Sequence, residues 1–128
     1  MWCLLSAPLL LGANVELLDD FTLSLITNEE VIAVNQDALG RAGRLVTVLP
    51  DSTEVWSKSL EDGGIAVGLL NPQAVEQHTT LFFDKLNLSG TYVVRDLWKK
   101  NNIASGRKDI TVTIPSHGII LLKLMKSK

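Results

Sequence analysis

The sequence has one cysteine, two histidines and no lysine or arginine before Arg41. Each shortage excludes something. A single thiol, Cys3, closes no intrachain disulfide, so stability has to come from packing. Between Trp2 and Leu4 it reads as a small buried hydrophobe. His78 and His117 lie far apart, and neither has a Cys, His or acid at ligand spacing, so neither a metal site nor any cofactor is expected. Without early positive charge, the opening run MWCLLSAPLLLG lacks the basic region of a secretory leader. Broken by Pro8, it also falls short of the roughly 20 apolar residues that cross a bilayer. No leader and no membrane partner are expected. The formal net charge of −2 gives no reason to expect nucleic acid as a partner.

What is present suits a globular domain: 128 residues, 46% hydrophobic and 20% charged. The charge is divided unevenly. Residues 1–40 carry six acids and no base, whereas residues 41–128 carry eight acids and all twelve bases. The shift predicts a domain boundary at Gly40, with residues 1–40 and 41–128 as separate units. In the first, a helix ends by Ala7 because Pro8 breaks it, and a short buried strand follows at Leu9–Leu11. Gly12-Ala13-Asn14 reads as a loop. Asp19 and Asp20 suit a helix start, and Asn28 is either a stop or the cap of a second short helix. Helix, strand, helix is the order of an α/β fragment.

After Gly40 the texture changes. Arg44–Leu49, Thr53–Leu60, Gly64–Asn71, His78–Phe83, Thr91–Asp96, Asp109–Ile114 and Gly118–Leu124 read as strands, with turn chemistry between most of them. Gly64–Leu70 and Ile119–Leu124 are apolar on both faces, as central strands covered on both sides are. The expected fold is mostly β, an antiparallel sandwich of Greek-key type behind a short helical segment.

No catalytic constellation stands out. Asp19-Asp20, Glu29-Glu30 and Glu61-Asp62 are sequence neighbours, which do not face each other on a helix or in a turn. No serine sits in a nucleophile elbow, and Cys3 has no evident base. Gly40-Arg41-Ala42-Gly43-Arg44 lacks the Lys-Ser/Thr ending of a phosphate loop and reads as a linker. Trp56 and Trp98, with Tyr92, are candidates for stacking on sugar rings, although aromatics in small sandwiches more often serve core or edge packing. Trp56 alternates with Glu54 and Lys58, so it is expected on a polar face. Asn87-Leu88-Ser89 is a formal glycosylation sequon.

Several motifs stand in order along the chain. Trp2, Ala7, Pro8 and Leu9 form W-x-x-x-x-A-P-L, and Val31–Gly40 reads VIAVNQDALG. Glu54–Lys58, Gly64–Asn71, the run Val94-Arg95-Asp96-Leu97-Trp98 and the closing His117–Leu122 follow. The series resembles glycoside hydrolase family 27, the α-galactosidases and α-N-acetylgalactosaminidases, and covers nearly the whole chain. Ala38 stands where that family usually has proline. Ala13-Asn14-Val15-Glu16 replaces an Asn-Asp-Leu-Arg-like loop, so no site residue is carried onto it.

The resemblance implies a (β/α)8 barrel followed by an antiparallel β domain. In that frame Trp2–Ser6 ends the seventh barrel helix, Leu9–Leu11 is the eighth strand and Asp20–Asn35 the last helix. It also implies a retaining glycosidase, whose two aspartates, about 5 Å apart, follow the fourth and sixth barrel strands. Neither has a counterpart among these 128 residues, so no catalytic residue is assigned here. The implied parent acts on α-galactosides in a secreted, periplasmic or lysosome-like setting, with the rest of the barrel as partner. Residues 1–40, freed of that barrel, are expected to expose Leu4, Leu5, Leu9, Leu10, Leu11 and Ile26. A second reading stays open, a stand-alone β module that binds carbohydrate or packs on a partner.

Overall fold

A computed structural model describes residues 1–127. Eight strands form the body: β1 (Arg44–Val48), β2 (Glu54–Ser59), β3 (Ile65–Leu70), β4 (Gln77–Phe82), β5 (Tyr92–Asp96), β6 (Asn101–Arg107), β7 (Asp109–Ile114) and β8 (Ile119–Lys126). They build a six-stranded sheet, in the order β1-β2-β3-β8-β5-β6, and a two-stranded sheet of β4 and β7. Every pairing is antiparallel.

The alternation of side chains along the central strands creates two cores. One face of the large sheet carries Val55, Val67, Leu69, Val94, Leu122 and Leu124, closed off by Leu81, Ile110 and Ile114 from the small sheet. The opposite face carries Ala66 and Leu121. The doubly apolar sequences of β3 and β8 are explained by this placement: both strands are central, and both faces are covered. In β7, Ile110 and Ile114 are buried while Thr111 and Thr113 face solvent, as its alternation predicts.

Strand β6 has no counterpart in the sequence-based expectation. Asn101–Arg107 is exposed at every position but one, so no hydrophobic alternation marks it. It exists because β5 offers it a ladder of backbone partners at the sheet edge.

Ahead of β1 lie two short helices, α1 (Asp20–Ile26) and α2 (Glu29–Asn35). The last helix implied by the family frame is thus broken after Ile26. Asn28 is the cause. Its side-chain oxygen accepts from the N–H groups of Glu30 and Val31, so it caps a new helix rather than continuing the old one. Asp19 caps α1 in the same way through Thr22 N–H at 2.7 Å. Asn14, in the divergent loop, caps a 3-10 turn at Val15–Leu17.

Trp2–Ser6 forms turns, closed by Leu5 N–H to the Met1 carbonyl and Ala7 N–H to the Trp2 carbonyl, rather than a regular helix. Leu9–Leu11 carries no ladder. A strand persists only through bonds to a neighbour, and among the described residues no strand lies beside this one. Among them, too, no helix is long and apolar enough to cross a membrane.

Candidate functional site

Residues from several of the motifs, Val31, Val34, Trp56, Ala66, Leu97 and Leu121, meet on the outer face of the large sheet, where Leu4 docks. The seat is made by small residues. Gly68 lies opposite Trp56 on β2 and opposite Leu121 on β8, so the three share one face. A Cβ at Gly68 would come within 2.3 Å of the Leu4 Cδ1, which means that Leu4 occupies the space glycine leaves. Leu4 is completely buried there, together with Val31 and Val34 of α2, Leu60, Ala66, Leu97 and Leu121. The expectation that Leu4 would be exposed is therefore corrected: the sandwich itself covers it. Leu9, Leu10 and Leu11 do remain exposed, as does Leu5; Ile26 is half-buried.

Polar groups fasten the same seam. Gly43 N–H donates to the Leu4 carbonyl at 2.6 Å. Asn35 Nδ2 reaches the Ala7 carbonyl at 2.8 Å, and Asn28 Nδ2 reaches the Leu97 carbonyl at 3.0 Å. Asp37 accepts from the N–H groups of Leu39 and Glu61. Lys58, only 3% exposed, donates to the Ser6 hydroxyl and to the Val34 carbonyl at the end of α2. Burial lowers its pKa, against the pull of Asp37 and Cys3. The face expected to be polar from Glu54, Trp56 and Lys58 is thus the seat of the N-terminal segment.

The run Val94–Trp98 gains a residue-by-residue account. Val94 enters the first core and Leu97 the second. Arg95 forks onto Glu30 of α2, with Nε to Oε2 at 2.7 Å and Nη2 to Oε1 at 2.6 Å. Asp96 accepts from the N–H groups of Trp98 and Lys99 and so shapes the turn after β5. Asn71, the last residue of another motif, is fully buried; its Nδ2 faces the carbonyls of Val75, Ile114 and Pro115. These are structural assignments that motif spacing alone does not make.

Two depressions flank the seam. One, of about 470 Å³, is charged and includes Glu30, Asp37, Glu61, Asp62, Arg95 and Lys123. The carboxylates of Glu30, Asp37 and Asp62 are committed to partners. The Arg95 guanidinium holds the Glu30 carboxyl below its ordinary pKa, and the Lys123 ammonium, 2.5 Å from Asp62, does the same there. Elsewhere, Asp19 is lowered by its bonds from Thr22. Burial pushes Asp51 up, but hydrogen bonds from Thr79 and Thr53 outweigh it and the net shift is downward. Acid catalysis near neutral pH needs a carboxyl shifted the other way. Among the described residues no cluster of three metal-ligating side chains occurs.

The second depression, of about 380 Å³, is apolar and includes Trp2, Leu9, Leu10, Leu11, Ile32 and Trp98. The two tryptophans singled out as sugar-stacking candidates part company here. Trp56 packs against the second core, its Nε1 bonded to Glu54 Oε2 at 2.8 Å. Trp98 is 40% exposed and borders the apolar groove beside Trp2. Tyr92 is buried in the first core, edge-on to Phe83.

Comparison with known proteins places this geometry. Residues 50–124 match the family described as the alpha galactosidase C-terminal beta sandwich domain. The chain is 40% identical over 119 residues to an alpha-galactosidase of Cyamopsis tetragonoloba, covering 91% of this chain and 29% of the relative. It superposes on alpha-galactosidase I from Mortierella vinacea with a TM-score of 0.89 at 35% identity, over 98% of this chain and 34% of that one. A GH27 β-L-arabinopyranosidase from Geobacillus stearothermophilus gives the same TM-score at 28% identity, over 98% and 28%. The chain thus spans about a third, or less, of the length of these relatives.

Proposed function

The chain belongs to the alpha galactosidase C-terminal β-sandwich family, corresponding to the C-terminal portion of family 27 glycoside hydrolases, and from that premise we propose that it is the structural C-terminal unit of a retaining α-galactosidase-like enzyme. In this reading the whole enzyme hydrolyses terminal α-galactosides, the activity named for the Cyamopsis and Mortierella relatives. The Geobacillus relative is named for a different sugar; in this reading the choice of sugar lies with the barrel.

The 128 residues alone do not hydrolyse. A retaining glycosidase needs one ionised and one protonated carboxyl about 5 Å apart across the scissile bond. In the charged depression Glu30 instead faces Arg95, Asp62 faces Lys123 and Asp37 faces backbone N–H groups, and the shifts of Glu30 and Asp62 keep both ionised. In this reading the division at Gly40 is where barrel-type sequence gives way to the sandwich, and residues 1–40, the last part of the barrel, form the strap that docks on it. The observation that carries this reading is the apolar groove of Trp2, Leu9–Leu11 and Trp98, a surface suited to the remainder of a barrel.

The test is an assay of the chain with an aryl α-galactoside, alone and after co-refolding with the first two-thirds of the Cyamopsis relative. No turnover alone and turnover in the mixture are expected. Turnover by the chain alone would refute the reading. The exposed Trp98 favours one other reading, a carbohydrate-binding module. A galactose titration followed by NMR separates the two, since only that reading shifts the Trp98 indole signal at millimolar sugar.

A further inference from the structure

We propose that Asn87 is an N-glycan acceptor, its side-chain amide nitrogen taking an oligosaccharide in a eukaryotic secretory pathway. The proposal stands on sequence and geometry together, and is independent of the catalytic reading above. Asn87-Leu88-Ser89 has no proline at its centre or after it, and no other asparagine in the chain has Ser or Thr two residues on.

The fold holds this tripeptide at the surface. Asn87 closes a 3-10 helix, Phe83–Leu86, in the left-handed region at φ 56°, ψ 33°. Its own N–H donates to the Asp84 carbonyl and the N–H of Leu88 to the Phe83 carbonyl, at 2.9 and 3.1 Å, so the backbone is spoken for. Leu88 turns inward against the first core. Asn87 and Ser89 are both exposed, and among the described residues neither side chain has a hydrogen-bond partner. The turn belongs to the first core's side of the large sheet, and residues 1–40 cover the other face. A glycan on Asn87 therefore leaves the docking seam free.

Asparagine is also favoured in a left-handed cap for backbone reasons alone. Glycine serves that purpose equally well, and the cap makes no use of a hydroxyl two residues later. In the transfer, Asn87 Nδ2 attacks the anomeric carbon of a lipid-linked pyrophosphoryl oligosaccharide. The bond from that carbon to the pyrophosphate oxygen breaks, the lipid pyrophosphate leaves, and Nδ2 gives up one proton. Because the folded turn fixes the backbone, transfer precedes closure of the 3-10 helix and the pairing of β5.

The full chain, translated behind a cleavable leader with endoplasmic-reticulum microsomes, provides the test. The expected product, after leader removal, runs one step slower on a gel. Peptide N-glycosidase reverses the step and leaves aspartate at position 87 in the peptide mass. Asn87→Gly keeps the left-handed cap and its thermal midpoint but loses the step. Ser89→Ala, with Asn87 in place, also loses it, and Ser89→Thr keeps it. A leader-cleaved chain with Asn87 unmodified overturns the proposal, as does a step that survives Asn87→Gly.

Discussion

Leu4 and Gly68 offer a direct measure of how firmly residues 1–40 are seated. Leu4→Ala removes three fully buried carbons, and at about 0.8 kcal/mol each the lost burial is about 2.4 kcal/mol. The seat walls, Ala66, Leu97 and Leu121, belong to the sheet and its margin and cannot close in freely. The residual cavity brings the cost to about 3–4 kcal/mol. Gly68→Ala attacks the same contact from the other side. Gly68 is not among the positive-φ residues, so alanine fits its backbone. The new methyl instead lands 2.3 Å from the Leu4 Cδ1, an overpacking worth about 1–3 kcal/mol. In the double variant the methyl enters space that Leu4 has vacated. The combined loss should fall short of the sum of the two single losses by about 1–2 kcal/mol. Urea unfolding of the four proteins, followed by tryptophan fluorescence with a common m-value, supplies the cycle. Additivity to within about 0.5 kcal/mol would refute the docking geometry.

Two further outcomes follow from the polar side of the seam. Glu30 and Asp62 have folded pKa values below their ordinary 4.5 and 3.8. Their stabilisation is therefore complete above those ordinary values and is lost as pH falls through the lower folded ones. Glu30→Gln should flatten the acid limb of the thermal midpoint against pH, and an unchanged limb would show that the Arg95 fork is not formed. Lys58→Met keeps most of the buried stem but deprives the Val34 carbonyl of a buried donor, at a cost of about 1 kcal/mol. Faster tryptic cleavage at the exposed Arg41 should accompany it; an unaltered cleavage rate would mean that the lysine does not anchor the strap.

Much of the sandwich was legible in the sequence because strands buried on both faces, or on one, leave their mark at each residue. Asp109–Ile114 declares its inward side through Ile110 and Ile114, and the doubly apolar β3 and β8 announce their central places. Edge strand β6 left no such mark, since it buries almost nothing and owes its shape to backbone pairing. Asn28 was readable as either a stop or a cap; the geometry decides for a cap, because its side-chain oxygen accepts from the N–H groups of Glu30 and Val31 while its Nδ2 donates to the distant Leu97 carbonyl. The functional surface was the least legible part. Trp56 and Lys58 looked like members of a polar face, and only the arrival of Leu4, Ser6 and Val34 from the other end of the chain makes that face a buried one.

Local information, then, determined the strands that bury a face, the cap at Asp19 and the family resemblance, because propensity, alternation and motif order are properties of neighbours in sequence. Which surface of the sheet receives residues 1–40 was decided by tertiary structure alone. It depends on a depression at Ala66 and Gly68 that exists only once β2, β3 and β8 lie side by side, and on a leucine more than sixty residues away that fits it. A glycine in a strand is ambiguous by itself; the space it leaves acquires meaning from what fills it.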